Sequence, residues 1–232
     1  MRKIIWILLA LLSVKQLSAQ TTNLKEQKSN YQKPSKDYLM LQLGFDGWSN
    51  LPDSVKLGGL SRSFNAYLCY DFPIMASNFS FAAGVGVGSS HIFLKDQQIV
   101  LNDTQIAIQF IPETESFKKY KISLTYIEAP FELRYFQNKE NRNRGVKAAI
   151  GLKIGTLLNS HTKGKYTLNN KPIIEKVSTK RYIESWRFAA TARVGWGNFS
   201  LYGSYHLNSL FRVNSGPENV RPYSVGICLS GL

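Results

Sequence analysis

No apolar run beyond the first twenty residues approaches the ~18 that a membrane-spanning helix needs. Any part of the chain that crosses a bilayer must therefore do so within a closed barrel, where every backbone group finds a partner on a neighbouring strand. Cysteine is scarce: Cys69 and Cys228 are the only two. Their strands are expected to be separated by the first strand, which sets them ~9 Å apart, beyond the ~7 Å reach of a disulfide. Two free thiols facing inward are predicted, and no Cys and His spacing suggests zinc or any other cofactor. Histidine is equally rare, with three in the chain. His91 and His161 lie in or beside loops, and His206 falls on an inward phase near Ser204 and Ser209. A lipid-modifying hydrolase on barrel strands needs its Ser and His facing lipid, so no enzyme is expected. Acidic residues are outnumbered, 15 Asp and Glu against 29 Lys and Arg, for a formal charge of +14. The cations gather in segments that read as turns and loops rather than on a helix face, so nucleic acid is not the expected partner. Phosphates of lipopolysaccharide and the outer-membrane lipid surface are.

What is present is ordinary for one ordered domain: 44% hydrophobic and 19% charged residues in 232. Residues 1–19 have the parts of a secretory signal peptide: Arg2 and Lys3, an apolar core from Ile4 to Leu12, and Leu17-Ser18-Ala19 before a cleavage point at Gln20. No Cys follows that core, so a lipoprotein anchor is not expected. Residues 20–37 are polar and basic, and read as a flexible periplasmic leader.

From residue 38 to 232 the chain alternates with period two, which marks strands. Leu39, Leu41, Leu43 and Phe45 oppose Met40, Gln42, Gly44 and Asp46, with Trp48 expected to close the apolar row. A second strand places Phe64, Ala66, Leu68, Tyr70 and Phe72 against Asn65, Tyr67, Cys69 and Asp71. In the third, Phe79 to Val87 alternate with Gly84, Gly86 and Gly88. Strict two-residue spacing, Ser89 in place of a further glycine and no following helix exclude a phosphate-binding loop; small inward residues instead relieve crowding in a narrow barrel. Residues 93–119 read as an outer loop with room for a hairpin. The fourth strand contains residues 126–135, YIEAPFELRY, with Ile127, Phe131, Leu133 and Tyr135 on one face and Glu128, Glu132 and Arg134 on the other. Tyr120, Ile122 and Leu124 occupy the other parity, which predicts either a bulge near Tyr126 or a strand that rises above the lipid there. Pro130 cannot donate to a ladder and should sit at a missing hydrogen bond. Four more strands, near 146–154, 186–196, 199–208 and 223–230, bring the total to eight, with Gly197-Asn198 as the tightest turn.

The connections alternate long and short, and aromatics flank the short ones: Phe72 and Phe79, Tyr135 and Phe136, Trp196 and Phe199. That asymmetry is typical of outer-membrane barrels with both termini in the periplasm. The expected fold is all-β, an eight-stranded antiparallel transmembrane up-and-down β-barrel. A soluble barrel would carry its charges outside, the reverse of the alternation here.

The decapeptide also resembles the signature of the PorT-like outer-membrane β-barrel family of Bacteroidota, through Tyr126, Ile127, Glu128, Pro130, Arg134 and Tyr135. It departs at Ala129, where a larger aliphatic is usual, and at Glu132, where the family tends to be apolar. The resemblance implies a fold and a membrane, and allows an accessory role in a type IX-like secretion assembly.

Eight strands leave room only for side chains, so a plugged barrel is expected rather than a porin-like channel. Its lumen collects Asp46, Asp71, Glu128 and Glu132 against Arg134, Lys147, Lys153, Arg187 and Arg193, which should pair with one another because a lone buried ion costs several kcal/mol. The third long loop, residues 159–181, carries Lys163, Lys165, Lys171, Lys176, Lys180 and Arg181 against Glu175 alone. It is the candidate surface for lipopolysaccharide or an envelope protein partner.

Overall fold

The computed structural model describes residues 39–231 except 76, 101–105, 114–116 and 139–140; the predicted signal peptide and leader lie outside the described residues. Eleven strands form in the order β1 (Leu39–Ser49), β2 (Arg62–Pro73), β3 (Phe79–Leu94), β4 (Gln97–Val100), β5 (Gln109–Pro112), β6 (Lys119–Phe136), β7 (Val146–Leu168), β8 (Lys171–Ser178), β9 (Trp186–Trp196), β10 (Phe199–His206) and β11 (Arg221–Ser230). Eight of them make one antiparallel ring, β1-β2-β3-β6-β7-β9-β10-β11, closed by β11 on β1. The remaining three are accessories above it. β4 and β5 pair as the hairpin expected within residues 93–119, and β8 pairs only with the upper half of β7.

Why the ring has its apolar side outward follows from the alternation. Ile150 is 64% exposed and Leu201 63%, whereas Arg134 on the opposite face of the sheet is 1% exposed. Burial thus runs opposite to that of a water-soluble barrel, as lipid-facing strands require. Short turns join β2 to β3, β6 to β7 and β9 to β10; at the last, Gly197 takes a φ of +59°, which glycine adopts without strain. The inward glycines of β3 make room for the filling: a Cβ on Gly84 would stand 2.7 Å from Cys69 Sγ, and one on Gly88 2.8 Å from Glu128 Oε2. Opposite Pro130 the β3–β6 pairing is interrupted, passing from Ala83–Phe131 to Gly86–Glu128. Cys69 and Cys228 are both free and buried, packed with Met40, Tyr67 and Tyr202.

Several expectations are corrected. β6 keeps one phase throughout: its register with β3 is unbroken on either side of Tyr126, and Tyr120, Ile122, Leu124, Tyr126, Glu128, Glu132 and Arg134 all point inward. What changes at Tyr126 is the interior, polar on the side of the short turns and apolar on the side of the long connections. The bulge at that level belongs to β7, where Thr125 pairs with Asn159 and Tyr126 with Leu157, leaving Leu158 extra. Trp48 does not close the outer row; it lies on the inward phase and meets Phe211 edge-on at 5.9 Å between centroids. Phe136 is likewise buried rather than part of the aromatic girdle, with the Arg142 guanidinium 5.1 Å above its ring. Residues 159–181 are not a loop: β7 and β8 form a hairpin arm that rises beyond the barrel wall.

The apolar interior of the mouth is built from long connections folded inward. Val55, Ile99, Ile108, Tyr182, Ile183, Leu210, Phe211 and Val220 pack onto Ile92, Ile122 and Leu124 of the wall. Ile92 is fully buried there, so Ile92→Val should lower stability by about 0.5–1.5 kcal/mol, read as a shift in the urea midpoint of the folded barrel.

Candidate functional site

The lumen below this cap is filled by charge, placed by the inward phases of β2, β6, β7 and β9. Nearest the short turns, Arg134 reaches Asp71 at 2.6 Å and Glu132 at 2.8 Å. Glu132 is shared with Arg193, also at 2.8 Å. Arg142, from the connection between β6 and β7, adds a second cation to Asp71 at 3.6 Å. Lys147 donates to Ser230 Oγ at 2.9 Å, and Arg193 donates to the same hydroxyl at 3.1 Å. One layer higher, Glu128 meets Arg187 at 2.9 Å and Lys153 at 4.0 Å, and accepts a 2.5 Å hydrogen bond from the Tyr67 hydroxyl. Arg187 also lies 4.9 Å from the centre of the Tyr126 ring. Asp46, nearer the mouth, accepts hydrogen bonds from Ser90 and Ser224.

All nine residues read from the sequence as lumen charges therefore face the interior. Arg142 and Tyr67 were missed: Arg142 sits in a turn, outside any alternation, and Tyr67 reads as one more inward aromatic until Glu128 is opposite it. Between the charged layers and the cap, a cavity of about 10 Å³ is lined by Asp46, Asn65, Ser90, Tyr126, Arg187, His206 and Ser224 among others, space for roughly one water molecule. Charge pairs, this small cavity and the cap follow one another along the axis.

On the outer face, the six cations read from residues 159–181 separate. Lys163, Lys165, Lys171 and Lys176 are on the β7–β8 arm, and Lys180 and Arg181 lie past its end, before β9. All are exposed except Lys163, which is half-buried. The register adds residues from neighbouring strands: Lys121 stands opposite Lys163, and Ser123 opposite both His91 and His161. His91 Nδ1 is 2.8 Å from Ser123 Oγ, the spacing of a base and a nucleophile. Ser123 is 1% exposed, however, and no described carboxylate hydrogen-bonds His91 to orient it. No group of three or more His, Cys, Asp or Glu able to hold a metal occurs among the described residues.

A closed antiparallel ring with an apolar exterior and a charged interior defines a membrane-embedded β-barrel. The chain belongs to the outer membrane protein beta-barrel domain family, whose model matches residues 23–212. That membership sets its location in the outer membrane. No curated protein and no solved structure matches the chain.

Proposed function

We propose that the protein is a non-enzymatic, non-conducting barrel that anchors a basic surface at the outside of the outer membrane, where it engages lipopolysaccharide. The short turns and both ends of the ring then face the periplasm, as short-turn ends do in outer-membrane barrels. The observation that carries the reading is the β7–β8 arm, with Lys165, Lys171 and Lys176 exposed beyond a barrel filled along its axis by two kinds of side chain. With an interior so filled, the arm and its neighbours are what remains to meet a ligand.

Replacing Lys165, Lys171, Lys176, Lys180 and Arg181 by Ser should leave the heat-modifiable band of the folded barrel in place and weaken binding to vesicles containing lipopolysaccharide. Unchanged binding would remove lipopolysaccharide as the ligand. Planar-bilayer recordings of the folded protein should show no conductance steps; discrete steps would mean that the lumen pairs open a path and that the porin-like reading is the better one.

A lipid-modifying hydrolase would have to use His91 and Ser123, since His206 is buried in the lumen. The burial of Ser123 speaks against it. An accessory role in a type IX-like secretion assembly draws on the PorT-like decapeptide. The charged residues of that stretch, Glu128, Glu132 and Arg134, point into the lumen and are spent on internal pairs, so the decapeptide supports a barrel rather than a partner surface.

A further inference from the structure

Above the level of Val87 and Ile127, the last apolar outward pair of β3 and β6, the outer face turns cationic. The ladders place Lys121, Lys163 and Lys176 directly opposite one another on β6, β7 and β8. The neighbouring row is His91, Ser123, His161 and Ser178, on β3, β6, β7 and β8. Directly opposed like charges destabilise a sheet, and three lysines in one row do so twice. Among the described residues none of these three lysines forms a salt bridge.

The crowding is felt by the groups themselves, which lie above the membrane-spanning part of the strands. Burial, and then Lys163, hold the Lys121 ammonium below its usual range. Burial, and then Lys176, Lys121 and Lys163, do the same for His161. For His91 burial acts first, followed by Lys121 and His161, against a small opposing effect of Asp46. The donors are also partly uncommitted. While His91 is held by Ser123, His161 Nδ1 is buried with no hydrogen-bond partner among the described residues.

We infer that Lys121, Lys163 and Lys176, with His161 beside them, form a binding site for a phosphate monoester carried on a lipid headgroup. The inference rests on the reading of the arm as a lipopolysaccharide-binding surface and narrows it to one site. A phosphate monoester has oxygen acceptors and up to two negative charges, and lysine serves such groups as a point charge. Adjacent strands are ~4.8 Å apart, so the three ammonium groups span about 10 Å, enough to enclose one tetrahedral anion from both sides. The row of His91 is four residues above Val87, roughly 13 Å along the strand at about 3.3 Å per residue, where headgroups begin. Bound phosphate supplies the negative charge that the register otherwise lacks.

The test compares two triple variants of the full chain, folded in nanodiscs, each losing three positive charges. One carries Lys121→Ser, Lys163→Ser and Lys176→Ser; the other carries Lys171→Ser, Lys180→Ser and Arg181→Ser. The probes are bisphosphorylated lipid A, its dephosphorylated form and inorganic phosphate. The first triple should lose about a hundredfold in affinity for bisphosphorylated lipid A, since each surface cation contributes on the order of fivefold to binding an anionic lipid. The second, whose cations stand outside the row and act only as general surface charge at a distance from the bound phosphate, should lose at least about tenfold less than the first, and the dephosphorylated lipid should not tell the proteins apart. Equal losses in both triples would overturn the site while leaving the arm as a general basic surface. No loss in either would overturn the site and the arm together. Inorganic phosphate bound as tightly as the lipid would overturn the headgroup as its source. Because the first triple relieves repulsion, it should also unfold at an unchanged or higher urea concentration, which separates a lost site from a damaged fold.

Discussion

Glu132→Ala should lower the unfolding free energy of the barrel by about 3–5 kcal/mol, because it leaves two guanidinium groups buried without their shared carboxylate. Arg134 and Arg193 both hold Glu132 at 2.8 Å, inside a wall that excludes water from them. Arg134 retains Asp71, so the larger part of the loss falls on Arg193. A urea titration in detergent or vesicles, followed by the mobility difference between boiled and unboiled samples, reads the change. Adding Arg193→Ala should then cost less than its effect in the native background, with a coupling of about 0.5–3 kcal/mol between the two sites. Additive losses would show that the pair contributes by packing alone.

The second large effect lies on the opposite face of the sheet. Ile150 is the middle residue of the outward row Val146, Ala148, Ile150, Leu152 and Ile154, and pairs with Leu133 and Ala192 on its two neighbours. An arginine there must either stay in hydrocarbon or stretch to an interface, and Ile150→Arg should cost about 2–4 kcal/mol in a bilayer. On the arm, Lys171→Ser should stay within about 0.5 kcal/mol of the native protein, since it removes no contact that the fold depends on. Equilibrium unfolding from lipid vesicles distinguishes the two. A tolerated arginine at position 150 would mean that this row does not face lipid.

Both predictions use the part of the molecule that was legible in the sequence. Along residues 64–72 of β2, residues 146–154 of β7 and the whole of β9, every inward position is charged, polar or small and every outward one apolar or aromatic, so period two alone sorted the faces there. The same rule left two readings open at Tyr126, because period two reports only that the two faces differ, not which medium each one meets. β6 carries its apolar residues outward where lipid is outside and inward where the cap is inside, so of the two readings the change of surroundings holds and the backbone keeps its phase. Trp48, read as the end of the outward apolar row, and Phe136, read as a girdle residue, were misplaced for a related reason: each is an aromatic at a strand end assigned to the lipid side before any inner apolar partner was known. On the β7–β8 arm Tyr166, Leu168, Ile173 and Val177 share a face with Thr162, Gly164, Lys171 and Glu175, so its alternation is too mixed to mark it as a strand. Its cation row with Lys121 depends on the pairing of β6 with β7, residues some forty positions apart, and on the extra Leu158 that turns Lys163 outward. Such a row exists only once the register does.

The two fillings of the barrel make it a vessel with unlike stoppers. The cap is held by apolar burial, which weakens on cooling. The lower layers are held by ion pairs, whose desolvation cost falls on warming and whose attraction yields to acid. Chilling therefore loosens the mouth while the floor stays tight, and acid loosens the floor while the mouth stays shut. Neither cold nor acid alone unseals both ends, so leakage through the molecule under either stress requires a second failure of different physical origin.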